Sequence, residues 1–167
     1  MREYFHSFRF RADFFDSDLG SGETGSPQQV AGAAFSGCEG LEASMESFEI
    51  KEGGWNYGTR QRAGRTSFAT VVLKRGMSAD RGLWHWFEAV AGGSYAYRLN
   101  ALITVLDPSQ PVDHATGVLQ WELLNALPVK YKAAGLDAAS SEIAIEELHL
   151  NHEGLKLHHP AAAGGAA

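Results

Sequence analysis

The chain has 167 residues, 44% of them hydrophobic and 20% charged, with a net charge of −6. That length supports one buried core, and the composition excludes a disordered chain. The acidic balance and the scatter of Arg9, Arg11, Arg60, Arg62, Arg65, Lys74 and Arg75 argue against a dedicated nucleic-acid binder.

No apolar run approaches the ~20 residues that a membrane helix needs. The opening residues 1–15 alternate polar and apolar and contain no uninterrupted apolar region, so no secretory signal is expected and synthesis in the cytosol is. A single cysteine, Cys38, excludes an internal disulfide; its surroundings hold no nearby His, and it reads as a small buried hydrophobe. Nineteen glycines against five prolines predict many turns, hence many strands.

Phe8, Phe10 and Ala12 alternate with Arg9, Arg11 and Asp13, the pattern of a half-buried strand. Residues 16–29 are rich in Gly, Ser and Asp and read as a long loop. Ala34–Cys38 and Met45–Ile50 are predicted strands. A Gly53-Gly54 turn with Glu52, Trp55 and Asn56 then opens a long glycine-punctuated hairpin, and Ser67–Lys74 is a strand closing on Lys74-Arg75-Gly76.

A helix is predicted over 79–91, capped by Ser78 or Asp80 and ended by Gly92-Gly93. Leu83, Trp84, Phe87 and Val90 fall at helical spacing, Leu83, Trp84 and Phe87 are assigned to the core, and Trp86 is left for solvent or a subunit contact. Leu99–Leu106 is a strand. Val118–Leu124 is another, contributing Trp121 to the core, and Pro128 ends it. Glu142–Leu150 alternates with a phase slip at Glu146-Glu147, predicting a bulge, with a helix as the alternative. Residues 1–157 are expected to form one domain and 158–167 a low-complexity tail.

Catalytic and metal motifs fail on spacing. His149, His152 and Glu153 resemble a scrambled zinc motif, but two His three apart on a strand diverge. Asp16-Ser17-Asp18 opens like a calcium loop, yet Gly20, Ser21 and Pro27 stand where ligands or glycine are needed. No phosphate-loop motif and no nucleophile-elbow motif is present. No catalytic residue, metal ligand or cofactor site is therefore assigned.

Several motifs in order, spanning 8–155, are more specific than any one of them. These are FSGCEGLE at 35–42, SFEIKEGGWN at 47–56, FATVVLKRG at 68–76, LWHWFE at 83–88, ITVLDPSQPV at 103–112, WELLNALPVKY at 121–131 and EIAIEELHLNHEGL at 142–155. Together they resemble the tail tube proteins of contractile phages and contractile injection systems, and distantly the tube protein of type VI secretion. The resemblance implies a mainly β fold: an antiparallel β-barrel or sandwich with one flanking α-helix and long hairpin loops.

It also implies a structural subunit of hexameric rings stacked into a hollow inner tube. The implied partners are further copies of itself, a contractile sheath, baseplate and spike proteins, and cargo or DNA in the lumen, without a membrane anchor. The implied setting is a phage tail or injection particle. The inter-subunit candidates are Glu52, Gly53, Gly54, Trp55, Asn56, Lys74, Arg75, Gly76, Trp86, Lys130, His152, Glu153 and Gly154. The loop 16–29, Ala63 in place of the family's usual proline, and the lengthened turn 114–117 depart from the pattern and point to a specialised ring joining tube to baseplate. Two other classes stay open: a monomeric barrel with Trp121 walling a ligand pocket, and a hydrolase using Cys38 and His149.

Overall fold

A computed structural model describes residues 9–17, 29–51, 53–54, 57–107, 117–135 and 143–158, with 29–34 described by backbone path only. The strands are β1 (Phe10–Asp16), β2 (Gln29–Ala34), β3 (Gly37–Glu39), β4 (Ala43–Ile50), β5 (Arg60–Phe68), β6 (Val71–Gly76), β7 (Leu99–Leu106), β8 (Gly117–Lys132), β9 (Ile145–Asn151) and β10 (Gly154–His158). One helix, α1, spans Gly82–Ala91. No helix among the described residues is long and apolar enough to cross a membrane.

Seven strands pair in the order β2-β1-β7-β8-β9-β6-β3, with β10 added to β8; β4 and β5 form a separate two-stranded hairpin. All pairings are antiparallel. The two ends of the order, β2 and β3, are successive in the chain and separated only by Phe35 and Ser36. The sheet must therefore curl until its edges meet, which is the barrel or sandwich expected. Phe35 fills the corner, edge-on to Phe14 at 6.4 Å, and the Ser36 amide donates to the Lys74 carbonyl at 2.7 Å.

The core follows strand alternation: Val71 and Leu73 on β6, Leu99, Ala101 and Ile103 on β7, Leu148 and Leu150 on β9. Leu83, Trp86 and Val90 of α1 close over it, with Trp86 5.5 Å from Phe14. Trp121 is half-buried and packs against this cluster.

The helix corrects the predicted stripe. Trp86 is 2% exposed and Trp84 41% exposed. Phe87 is half-buried and lies with Trp84 against Tyr131, the ring centroids 6.4 and 5.2 Å from that of Tyr131. Residues 83, 84, 86, 87 and 90 are all apolar, so two stripes share one helix. The one completed by Val90 faces the core. The helix also starts three residues later than predicted, with the Asp80 carboxylate accepting from the Gly82 amide at 3.0 Å.

Four strand boundaries differ as well. Ala34–Cys38 straddles the corner between β2 and β3. Ser67–Lys74 divides at Ala69-Thr70, where the hairpin leaves the barrel. The β8 strand continues through Pro128 because its register with β9 shifts between Pro128 and Lys130, which absorbs the missing donor. The β9 strand runs in unbroken register against β6. Its apparent slip is instead an inward-pointing Glu146. Asp13, expected outside, is buried and paired with Arg11 at 2.7 Å. Phe8, most of loop 16–29 and the tail beyond 158 lie outside the described residues.

Candidate assembly site

The β4–β5 hairpin stands off the barrel. Every residue of β4 is exposed, including Met45, Phe48 and Ile50. Phe48 is paired with Arg62 and lies over Gly64, where an added Cβ would come within 2.5 Å of its ring. One face thus carries Phe48, Ile50, Arg60 and Arg62; the other carries Met45, Ser47, Glu49, Gln61 and Ala63. At the tip, Gly53 has open space around it, Gly54 has φ +92° and Tyr57 is fully exposed. Glu52, Trp55 and Asn56 lie outside the described residues.

The hairpin's root is tied to the barrel at several points. The Ala69 amide donates to the Glu42 carbonyl at 3.1 Å, and the Thr70 hydroxyl to Asn151 Oδ1 at 2.7 Å. Phe68 lies against the His152 ring at 5.2 Å. Gly40, at φ +86°, leaves no room for a side chain: a Cβ would sit 2.1 Å from the Thr70 carbonyl oxygen. Gly40→Ala is expected to destabilise the fold by at least about 1–2 kcal/mol from the left-handed backbone alone, read by urea unfolding. An unchanged midpoint would show that the root tolerates rearrangement.

Two sequence motifs far apart in the chain meet at one barrel corner. Asn125 adopts φ 50°, which Asn tolerates better than most side chains. Its amide nitrogen Nδ2 donates to Glu153 Oε2 at 2.8 Å, and its backbone N–H donates to Asn100 Oδ1 at 2.9 Å. The Glu153 backbone N–H donates to the Leu124 carbonyl, and Arg98 lies 3.8 Å from Glu153. Gly154 is buried against Leu124, and His152 Nδ1 lies 2.9 Å from the Gly154 carbonyl. His152, Glu153 and Gly154, read from sequence as inter-subunit candidates, are thus engaged within the chain, where β8 and the β9–β10 edge bend together.

Arg75 and Trp86 are corrected outright as contact candidates. Arg75 is 3% exposed and donates to Glu146, itself 6% exposed, and to the Asp80 backbone carbonyl at 2.9 Å. Tyr131 donates its hydroxyl to the same Glu146. This buried cluster joins β6, β8 and β9 to the start of α1. Its signal was present in the sequence: Arg75 continues the inward phase of Val71 and Leu73, and Glu146 that of Leu148 and Leu150. Lys74 points to the opposite face, 2.6 Å from Glu39, and Lys130 is exposed on β8. Gly76 lies beside Ile143.

For chemistry the arrangement offers little. Burial pushes the Cys38 thiol up to about 12, with Glu39 adding to it, so the nucleophilic thiolate is disfavoured. Among the described residues no three His, Cys, Asp or Glu side chains are grouped as metal ligands. His149 lies 3.5 Å from Glu147, while His152 faces Phe68, so the two rings do not converge.

A comparison with curated protein sequences returns no match. Among solved structures, a chain in the cryo-EM structure of the anti-feeding prophage baseplate is 25% identical, with a TM-score of 0.75 and coverage of 95% of this chain and 98% of that one. A chain in the sheath–tube complex of the extracellular contractile injection system PVC is 17% identical, with TM-score 0.72 and coverage of 94% and 93%. A crystal structure of an Hcp protein shares the fold at 10% identity, TM-score 0.57 and coverage of 92% and 94%. The family model of the T4-like virus tail tube protein gp19 matches residues 6–156. The chain belongs to that tail tube family.

Proposed function

We propose that this chain is the inner-tube subunit of a contractile injection system, forming six-membered rings that stack into a tube. Its partners on this reading are further copies of itself, a contractile sheath outside, baseplate proteins at one end and cargo in the lumen, with residues 1–157 acting as one tube domain. The observation that carries the reading is the family match over 6–156, together with a 25% identical chain of the anti-feeding prophage baseplate that aligns over 95% of this chain and 98% of its own length. The projecting hairpin supports it physically. A closed ring needs one patch to meet a different patch on the next copy, and a two-stranded arm with open edges supplies such a patch. Electron microscopy and mass photometry of the purified protein test it: rings or tubes are expected. A monomer at all concentrations, alone and with sheath and baseplate proteins, would overturn it.

The anti-feeding prophage baseplate chain is more similar in sequence than the sheath–tube chain of PVC. This favours, as a second reading, a ring that starts the tube at the baseplate. Such a protein would form single rings and seed tubes of another subunit.

The hairpin tip gives a sharper prediction. Gly53→Val/Gly54→Val places a β-branched side chain at φ +92°, a strain of about 1–2 kcal/mol confined to the exposed tip. The monomer is expected to melt within a few degrees of wild type while tubes disappear from micrographs. Normal tubes would remove the tip from the contact.

A further inference from the structure

We propose that the Phe48–Arg62 face of one copy's hairpin seats on the Trp84–Glu88 face of helix α1 in another copy. The inference rests on the tube reading and names the two surfaces that would meet.

Both surfaces are unusual for a protein in water. Phe48 is 55% exposed on a hairpin packed on one side by nothing but its own strands. Trp84 is exposed on the outer side of α1, held edge-on to Tyr131 and beside Phe87. Large aromatics held in place and open to solvent are the usual anchors of protein contacts.

The charges are complementary. Residues 43–68, the hairpin, hold four Lys or Arg against three Asp or Glu; the remaining chain holds ten against seventeen. A basic arm on an acidic body matches a second copy of the same chain better than it matches an unrelated basic partner. Locally, Arg62 stands directly across from Phe48, and Glu88 stands one helical turn beyond Trp84, exposed, with His85 at 3.7 Å.

The spacing also agrees. Directly opposed residues on an antiparallel pair have Cβ atoms about 4.5–5.5 Å apart. Residues four apart on a helix have them about 5–6 Å apart. Laying Phe48 on Trp84 therefore brings the Arg62 guanidinium to the Glu88 carboxylate. The hairpin's other face is less suited, since it carries Ser47, Gln61 and a Glu49 that accepts from Gln61 at 3.4 Å. On the barrel, the outer face of β3, β6, β9 and β8 is crossed by charges that already pair, Lys74 with Glu39 and Lys132 with Glu147 at 3.3 Å.

Charge exchange tests the pairing. Arg62→Glu and Glu88→Arg, made singly, are expected to lower the sedimenting tube fraction at least tenfold. Combined in one chain, they are expected to restore it to within twofold of wild type. Singles that assemble normally, or a double as defective as the singles, would overturn the pairing while wild-type tubes leave the tube reading standing. Wild-type protein that forms neither rings nor tubes would sink both. If circular dichroism shows a variant misfolded, cysteine trapping replaces it. Arg62→Cys protein is mixed with Glu88→Cys protein, each in a Cys38→Ala background, and oxidised. A disulfide-linked band between the two is expected, and its absence overturns the contact.

Discussion

Removing Arg75 is expected to cost the fold about 3–5 kcal/mol, because Glu146 would lose its cationic partner in the interior and keep only the Tyr131 hydroxyl. For a chain of this size that corresponds to a fall in Tm of roughly 6–20 °C. Arg75 also holds the Asp80 carbonyl, so Arg75→Ala should loosen the first turn of α1 along with the sheet. The paired replacement Arg75→Met/Glu146→Leu is expected to recover most of the loss, since well-packed apolar residues often substitute for a buried ion pair without penalty. Urea unfolding of the two variants beside wild type measures this; a single replacement costing under about 1 kcal/mol would show that the cluster is not buried in solution.

The same cluster sets two pH limits. Burial, reinforced by the hydrogen bond to Glu146, pushes the Tyr131 phenol up to about 12. Its folded value lies above the ordinary value of about 10, so its contribution is complete below pH 10 and is lost as pH rises toward 12. Asp80 is displaced the other way, first by the Gly82 amide and also by Arg75. Its contribution is present above the ordinary Asp value of about 4 and disappears as pH falls below it. Tyr131→Phe should shrink the alkaline limb, leaving the part that comes from the raised Cys38 thiol, and leave the acid one unchanged.

Trp86→Ala is expected to destabilise by about 3–5 kcal/mol, through loss of a large side chain packed on Phe14. Trp84→Ala should cost the monomer only about 1 kcal/mol, the scale of its aromatic contacts with Phe87 and Tyr131. Trp86→Phe should be milder than Trp86→Ala because it keeps a ring against Phe14; both changes remove the Trp86 indole N–H, which is buried without a hydrogen-bond partner among the described residues. Its removal relieves a desolvation cost of about 1–3 kcal/mol. Differential scanning calorimetry of the three proteins decides, and a larger effect at Trp84 would reverse the assignment of the helix faces.

The contrast between these tryptophans shows what sequence can carry. The fold class, the single helix and β7 were legible because period-2 and period-3.6 patterns are strong over 99–106 and 83–90. Which of two apolar helix stripes turns inward was not, because that is decided by Phe14 on a strand about seventy residues earlier. Pro128 was read as a breaker, since nothing local reveals that β8 shifts register against β9 at that point. For the site, the hairpin announced itself by Gly53-Gly54, yet the meeting of Asn125 with Glu153 did not, being a contact across 28 residues. Arg75 and Glu146 looked like surface charge because charged residues are seldom buried without a partner, and the partner lies 71 residues away.

The long-range pairing of β1 with β7 has a consequence for biosynthesis. Strand β1 leaves the ribosome early, but its inner neighbour β7 follows much later: Phe10 pairs with Val105 and Asp16 with Leu99. At about 5–20 residues per second, that edge of β1 waits roughly 5–20 s with its hydrogen-bonding groups unmatched. Pairings of this range fold slowly and expose sticky edges meanwhile. Lowering the temperature or the initiation rate is therefore expected to shift product from inclusion bodies to the supernatant.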